Sequence, residues 1–221
     1  MRKILLLAAA AMMAATSAWS ETVTTEAELR AALTGEYIDI ELGADITLSS
    51  YWLITKGQIV TLDLNGHTLR RSGLTAADRN GHVIEVVTGG SLTINDFSTA
   101  QTGTITGGWA INGGGICNYG NVTINGGTIT DCKADDGGAI KNNVGAELGI
   151  GGGVIANCTS ATNGGAISNF GVASTFRLTV SRHGAWASSK HPSPTTALVC
   201  RLANMKPATS PSTNFLRISN T

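Results

Sequence analysis

The stretch Gly114-Gly-Ile-Cys-Asn118 recurs in the sequence as Gly137-Gly-Ala-Ile-Lys-Asn142 and as Gly164-Gly-Ala-Ile-Ser-Asn169. The final asparagines of the three copies are 24 and 27 residues apart. Between the copies, Ile124-Asn-Gly-Gly-Thr-Ile-Thr-Asp-Cys132 returns 26 residues later as Ile150-Gly-Gly-Gly-Val-Ile-Ala-Asn-Cys158. A repeat of this length indicates a solenoid, because one unit cannot bury its apolar residues without stacking on a neighbour.

A looser copy precedes these repeats, with Ile84, then Leu92-Thr-Ile94, then Gly103-Thr-Ile105. Each unit contains three short apolar-alternating segments separated by Gly or Asn corners, which is typical of β-strands rather than helices. The pattern predicts an all-β fold, a right-handed parallel β-helix with one coil per 24–27 residues. Successive coils are expected to rise by about 4.8 Å, the spacing between neighbouring strands.

Stacking of the coils places equivalent residues in columns that run along the solenoid. The predicted structural ladder contains Asn118, Asn142, Asn169, Ile116, Ile140, Ile167, Cys132 and Cys158. Stacked asparagines can hydrogen-bond from coil to coil and Asn tolerates a left-handed corner, while the alternative interpretation is that Asn only favours turns.

The cysteines of the repeats lead to two further expectations. Cys132 and Cys158 lie one coil apart, so they form either a ladder of buried thiols, which we favour, or a disulfide bond. Cys117 aligns with Lys141 and Ser168 and is expected to face solvent.

Composition limits the classes of protein that the chain can belong to. Among its 221 residues are 28 Gly and 4 Pro, 42% are apolar, 14% are charged and 5% are aromatic. The glycines follow no G-X-Y period, which excludes collagen. Few charged residues argue against a helical bundle. The formal net charge of zero gives no indication of nucleic-acid binding.

The N-terminus has the pattern of a secretion signal, with basic Arg2 and Lys3 before an apolar run over 4–15. Ala18-Trp-Ser20 then provides small residues for cleavage before Glu21. The run is shorter than the ~20 residues that span a bilayer, and no later stretch could do so. We therefore expect an exported protein, extracellular or associated with the cell surface or outer membrane, with no transmembrane segment after signal cleavage.

A short helix is predicted directly after the signal. Thr25-Glu-Ala-Glu28 fits a capping box, and Gly35 is placed to end the helix in a left-handed conformation. A single helix followed only by short strands favours a cap over the open apolar end of the solenoid.

The GGAI tetrapeptides at 137–140 and 164–167, each followed by Asn two residues later, resemble the repeats of polymorphic outer-membrane proteins. Segments 60–69 and 81–108 resemble the early coils of bacterial exported proteins of the same wider class, that of β-helix surface proteins with pectate-lyase-like folds. The resemblance covers 22–172 and implies an adhesin-like protein at the cell surface.

The sequence divides into a signal peptide at 1–20, a β-helix domain at 21–174 and a basic Pro/Ser/Thr-rich tail at 175–221. The formal charge is −8 over 21–174 and +6 over 175–221, and all four prolines lie in the tail. Phe176, Leu178 and Val180 could supply one last strand. The tail is interpreted as translation in a shifted frame, with a natural linker as the alternative, and we expect limited proteolysis to trim the chain near 175–182.

No catalytic, cofactor-binding or metal-ligating residue is predicted from the sequence. Asp135-Asp136 is interpreted as a solvated corner, and His67 and His82 as turn residues. A pectate-lyase-like site would need acidic and basic residues at matched coil positions, and Arg70-Arg71 has no such acidic partner. Two functions remain open: a non-enzymatic surface protein, which we favour, with a glycan or a host protein as ligand, and a polysaccharide lyase or hydrolase, of which this chain could be a fragment.

Overall fold

The structure is a computed structural model that describes residues 20–175, 178–181 and 198–200. The predicted signal peptide, apart from Ser20, and most of the predicted tail lie outside the described residues. The described chain begins with strand β1 (Glu21–Val23) and helix α1 (Glu26–Ala31). The predicted capping box is present at Thr25 and Glu28. The helix ends at Ala31 with Ala32 as its C-cap, rather than at Gly35, which adopts φ +98° in the turn that follows.

After α1 the chain winds into coils whose strands form four sheets, which confirms the predicted parallel β-solenoid. Sheet A has the order β1, β2 (Tyr37–Leu42), β5 (Ile59–Asp63), β8 (Ser91–Asn95), β12 (Asn121–Ile124), β16 (Glu147–Ile150) and β20 (Val172–Thr175). Sheet B has the order β3 (Ile46–Leu48), β6 (Thr68–Arg71), β9 (Thr104–Thr106), β13 (Thr128–Thr130), β17 (Val154–Ala156), β21 (Leu178–Ser181) and β22 (Leu198–Cys200). Sheet C has the order β4 (Trp52–Ile54), β7 (Ile84–Val86), β11 (Ile116–Asn118), β15 (Ile140–Asn142) and β19 (Ile167–Asn169).

The neighbouring strands of these sheets are parallel, except that β22 pairs antiparallel with β21. Strand β21 contains the Leu178 and Val180 named in the prediction of a last strand, and it pairs with β17. The strand β22 within the predicted tail was not expected from the sequence.

A fourth sheet is the main difference from the predicted three-strand coil. Sheet D consists of β10 (Trp109–Asn112), β14 (Lys133–Asp136) and β18 (Thr159–Asn163). In each of these coils the chain makes an excursion between sheets B and C. The excursion closes tightly, because a Cβ placed on Gly108 would lie 1.7 Å from the carbonyl oxygen of Gly114. In the preceding coil Asp78 bridges to Ala110 and extends sheet D by one contact.

The core is a continuous interior of aliphatic side chains contributed by sheets A, B and C. Ile84, Ile116, Ile140 and Ile167 stack in register, as do Ile105, Ile129 and Ile155. Strands such as β2 alternate exposed and buried residues, which is the two-residue period of a sheet with one face on a core. Leu29 of α1 is fully buried in the same cluster, so the helix packs against the first coil.

Helix α1 is held on the first coil by two charged side chains. Glu26 accepts hydrogen bonds from the Ser49 backbone and from Arg30. Arg30 in turn donates to the carbonyl oxygens of Ser50 and Tyr51. Burial would raise the pKa of Glu26, but the hydrogen bonds from Arg30 and Ser49 outweigh it and lower that pKa. The cap is therefore fixed by directional bonds as well as by apolar contact.

Candidate binding surface

The asparagines of the predicted ladder lie at the inner corner between sheets C and A. Asn118 Nδ2 donates to Asn142 Oδ1 at 2.7 Å, and Asn142 Nδ2 donates to Asn169 Oδ1 at 2.7 Å. Asn118 Oδ1 also accepts from the backbone of Gly120, and both Asn118 and Asn142 are fully buried. The expectation of a left-handed corner is wrong for these asparagines, because they lie in strands. Among the described Asn and Asp residues, positive φ angles occur at Asn65, Asp131 and Asn157.

A second polar corner, between sheets A and B, was missed from the sequence. Asn125 Nδ2 donates to Asn95 Oδ1 at 3.0 Å, one coil apart. The buried carboxylate of Asp96 accepts backbone hydrogen bonds from Gly66 and Gly103 and two further bonds from Ser98. Burial raises the pKa of Asp96, but these bonds outweigh burial and lower it overall. The dipeptides Asn125-Gly126 and Asn95-Asp96 were the sequence signal for this corner. Their pairing could be recognised only once the register between coils was known.

Cys132 and Cys158 occupy equivalent positions in successive coils, because Lys133 and Thr159, which follow them, are register partners. Both are fully buried, and each Sγ donates to the carbonyl two residues earlier, Thr130 or Ala156. The hydrogen bond with Cys158 and burial raise the pKa of Cys132 well above its usual value. No disulfide joins cysteines whose side chains the structure describes.

We predict that no disulfide bond joins Cys132 to Cys158 in the folded protein. The experiment uses the Cys200→Ser variant, so that the fourth cysteine cannot exchange, and maps peptides by mass spectrometry under non-reducing conditions. Iodoacetamide should label Cys132 only after denaturation, because a buried thiol with a raised pKa supplies little thiolate. Recovery of a peptide bridged between 132 and 158 would contradict the prediction.

The expectation that Cys117 faces solvent is wrong. Cys117 is only 2% exposed, although it lies on the outer side of sheet C in register with Glu85 and Lys141. The chain enters and leaves sheet D beside this face. The side chains of Tyr119 and Asn143 hydrogen-bond to the thiol. Burial raises the pKa of Cys117 to about 11, so the thiol is protonated at neutral pH and is a poor nucleophile.

The next residues of the same outer column form an ion-pair cluster. Lys141 Nζ contacts Asp136 Oδ2 of sheet D, lies 3.4 Å from Ser168 Oγ and sits 3.9 Å from the centre of the Phe170 ring. The sequence suggested that Asp136 belongs to a solvated corner, and this is wrong. Asp136 instead links sheet D to sheet C through its ion pair with Lys141. A buried pair of this kind favours one arrangement of the two sheets.

His82 lies in the bend just before β7, in keeping with its interpretation as a turn residue, but it is only 1% exposed. Its ring packs edge-on against Tyr51, with 4.8 Å between the ring centres. Burial and the charge of Arg71 lower the pKa of His82 to about 4, against a smaller opposing effect of Asp78. Nε2 lies 2.9 Å from Glu85 Oε2 without hydrogen-bond alignment. Burial also raises the pKa of Glu85, so burial disfavours the charged form of both groups.

We predict that His82 makes the protein less stable in acid. Its pKa is about 4 when folded, against 6.5 for the ordinary group. Between these values the unfolded chain binds a proton that the folded one does not. The free energy of unfolding should therefore fall by about 3 kcal/mol as the pH drops from ~6.5 to ~4, and little further below that. Urea titrations over this range should show a loss that is about 3 kcal/mol larger in wild type than in His82→Leu.

The half-exposed His67 provides the matched control for this titration. His67→Leu should keep the acid-dependent loss of the wild-type protein, because the imidazole of His82 is still present. Equal pH dependence in His82→Leu and wild type would contradict the prediction. Comparison of variants is necessary because Asp96 and other carboxylates also titrate in acid.

The outer face of sheet A is formed by seven parallel strands of the described solenoid. Its central column contains residues in register over six coils: Asp39, Thr61, Thr93, Thr123, Gly149 and Ser174. The column beside it contains Tyr37, Ile59, Ser91, Asn121, Glu147 and Val172. We call Ser91, Thr93, Asn121, Thr123 and Asn125 the neutral block, because they form a patch of uncharged hydroxyl and amide groups on two successive coils.

Two apolar side chains border the neutral block toward the N-terminal end. Tyr37 is 75% exposed, and its register partner Ile59 is 41% exposed. We call this pair the apolar shelf. Thr61 lies on the same strand as Ile59, so the shelf adjoins the central column directly. The face thus combines an exposed aromatic ring with a row of hydrogen-bonding groups.

The charges of sheet A are all of one sign. Its described strands contain the acids Glu21, Asp39, Glu41, Asp63 and Glu147 and neither Lys nor Arg. Most of these acids lie at the N-terminal end, and the neutral block itself carries no charge. The face is therefore unsuited to a polyanion, which it would repel.

Within the described residues no group of three or more His, Cys, Asp or Glu side chains is placed to hold a metal ion. No helix in the same part of the chain is long and apolar enough to cross a membrane. The fold and its faces define the class of the protein as a parallel β-solenoid. No family model, curated protein or solved structure matches the chain.

Proposed function

We propose that the chain is an exported surface protein that binds an extended partner through the outer face of sheet A and does not catalyse a reaction. The observation that supports this most is the neutral block, a patch of exposed and half-buried polar groups on two successive coils. Repeated positions allow one extended molecule to make the same contact several times, and linked contacts strengthen one another.

Export and a location at the cell surface are part of the same proposal. They rest on the signal-like segment, with Arg2 and Lys3 before the apolar run over 4–15, and on the resemblance of the GGAI repeats to surface proteins. The titratable groups of sheet C fit a structural role better than a catalytic one. Cys117 keeps its proton and Lys141 is paired with Asp136, so neither is a free nucleophile.

We expect Thr93→Arg to weaken binding to the partner about tenfold, because a long charged side chain would stand in the middle of the neutral block. The matched control is Thr106→Arg on sheet B, since both threonines belong to the same coil and are half-buried. The full chain and both variants are tested on immobilised polysaccharides and on collagen and fibronectin, with circular dichroism as the check on folding.

Two results would contradict the proposed function. One is binding to any of these materials that Thr93→Arg and Thr106→Arg weaken equally, because the face of sheet A would then not be the contact surface. The other is calcium-dependent release of unsaturated products from polygalacturonate by the purified chain, because the protein would then be a lyase.

A further inference from the structure

We infer that the partner is a neutral polysaccharide, lying along the solenoid axis on the outer face of sheet A with the apolar shelf under one of its sugar rings. This inference rests on the proposed function and specifies its ligand. It follows from three features of the face: the chemistry of its side chains, its charge and its period.

The side chains of the neutral block suit sugar hydroxyls. Asn121 and Asn125 each present an amide that both donates and accepts, and Ser91, Thr93 and Thr123 present hydroxyls that do the same. A sugar hydroxyl also donates and accepts, so the groups are complementary without any charge. A protein partner would instead favour a surface with an apolar centre rich in large side chains, which the neutral block lacks.

Charge separates a neutral sugar polymer from an acidic one. The strands of sheet A contain five acids and no base, so a polyuronate would meet like charge without a compensating Lys or Arg. Glu147 stands in the column of Asn121, directly next to the neutral block. A neutral chain carries no such penalty, and its hydroxyls can donate hydrogen bonds to these carboxylates.

The distance at which side chains repeat along the face indicates how the bound polysaccharide is oriented. Equivalent side chains recur once per coil, about every 4.8 Å along the axis. This distance is close to the length of one sugar unit in an extended, equatorially linked chain, so successive sugars can meet equivalent groups. Tyr37 and Ile59 lie at the N-terminal end of the same row, where the face of a sugar ring can pack on the exposed aromatic ring.

The experiment measures depletion of the full chain from solution by insoluble cellulose and insoluble mannan, with polygalacturonate gel, collagen and fibronectin in parallel. We expect binding to cellulose or mannan and not to polygalacturonate. Affinity should fall about tenfold in Thr93→Arg, which obstructs the neutral block, and in Tyr37→Ala, which removes the aromatic ring of the apolar shelf. It should change less than about twofold in Thr106→Arg, since that surface is remote from the contact.

The outcomes distinguish the inference from the proposed function. Binding only to collagen or fibronectin, lost in Thr93→Arg, would overturn the neutral-polysaccharide inference and leave the binding face in place. Binding to polygalacturonate in preference to the neutral polymers would overturn the charge argument and therefore the inference. Failure to bind cellulose and mannan would overturn it as well. Binding to a neutral polymer that Thr93→Arg leaves unchanged would overturn both proposals.

Discussion

Gly108→Ala should destabilise the solenoid by about 4 kcal/mol or more, a loss comparable with the whole stability of many domains. A Cβ on this residue would meet the backbone carbonyl of Gly114 at 1.7 Å, and a backbone atom cannot rotate away as a side chain can. The excursion through β10, which lies between Gly108 and Gly114, would have to open, and this would disturb the pairing of β10 with β14. Urea denaturation followed by circular dichroism measures the loss, or shows directly that the variant does not fold.

The control for this substitution is Gly149→Ala in sheet A. The nearest atom to a Cβ on Gly149 is the Thr123 hydroxyl at 3.5 Å, and its φ is not positive. We expect a change within about 0.5 kcal/mol, because Ala fits and also restricts the unfolded chain. Equal urea midpoints for Gly108→Ala and wild type would show that the chain leaves room for a Cβ between Gly108 and Gly114, and would contradict the prediction.

Asn142→Ala is expected to cost about 3 kcal/mol, the second-largest effect. The fully buried amide accepts from Asn118 and donates to Asn169 and to the Val172 carbonyl, so its removal leaves buried polar groups without partners. Asn142→Leu keeps a similar volume and should also destabilise, which separates the loss of hydrogen bonds from the effect of a cavity.

Asn121→Ala is the comparison for the Asn142 variants, because Asn121 is exposed in β12. It should change stability by less than about 0.5 kcal/mol. If Asn121→Ala cost as much as Asn142→Ala in urea titrations, the stability of the solenoid would not depend on the inner ladder.

The columns of the solenoid could be read from the sequence because their residue types repeat. Ile116, Ile140 and Ile167 each precede an asparagine by two residues, and the distance from one copy to the next gives the coil length. Sheet D could not be found in this way. Its strands Trp109–Asn112, Lys133–Asp136 and Thr159–Asn163 share no residue pattern, because the excursion is determined by close backbone contacts at the flanking glycines.

The sequence also did not reveal the burial of Cys117 and His82. Alternation along a strand tells which side chains point out of the coil, but not whether another segment lies over them. Cys117 does point outward, and only the neighbouring excursion and corner side chains remove it from solvent. In the candidate binding surface, alternation alone predicts outward side chains at Ser91, Thr93, Asn121 and Thr123. That these four lie side by side follows only from the register between the two coils.

The inner asparagine ladder also bears on how the protein responds to mechanical load. Each amide donates toward the next coil, from Asn118 to Asn142 and from Asn142 to Asn169, so the rungs run parallel to the solenoid axis. Tension along that axis loads the junctions between coils in series, and the weakest junction yields first. The ladder reinforces only the junctions between β11, β15 and β19, because Val86 takes the Asn position in the coil before them. A pulled molecule should therefore extend stepwise, with the coils that share amide rungs parting last.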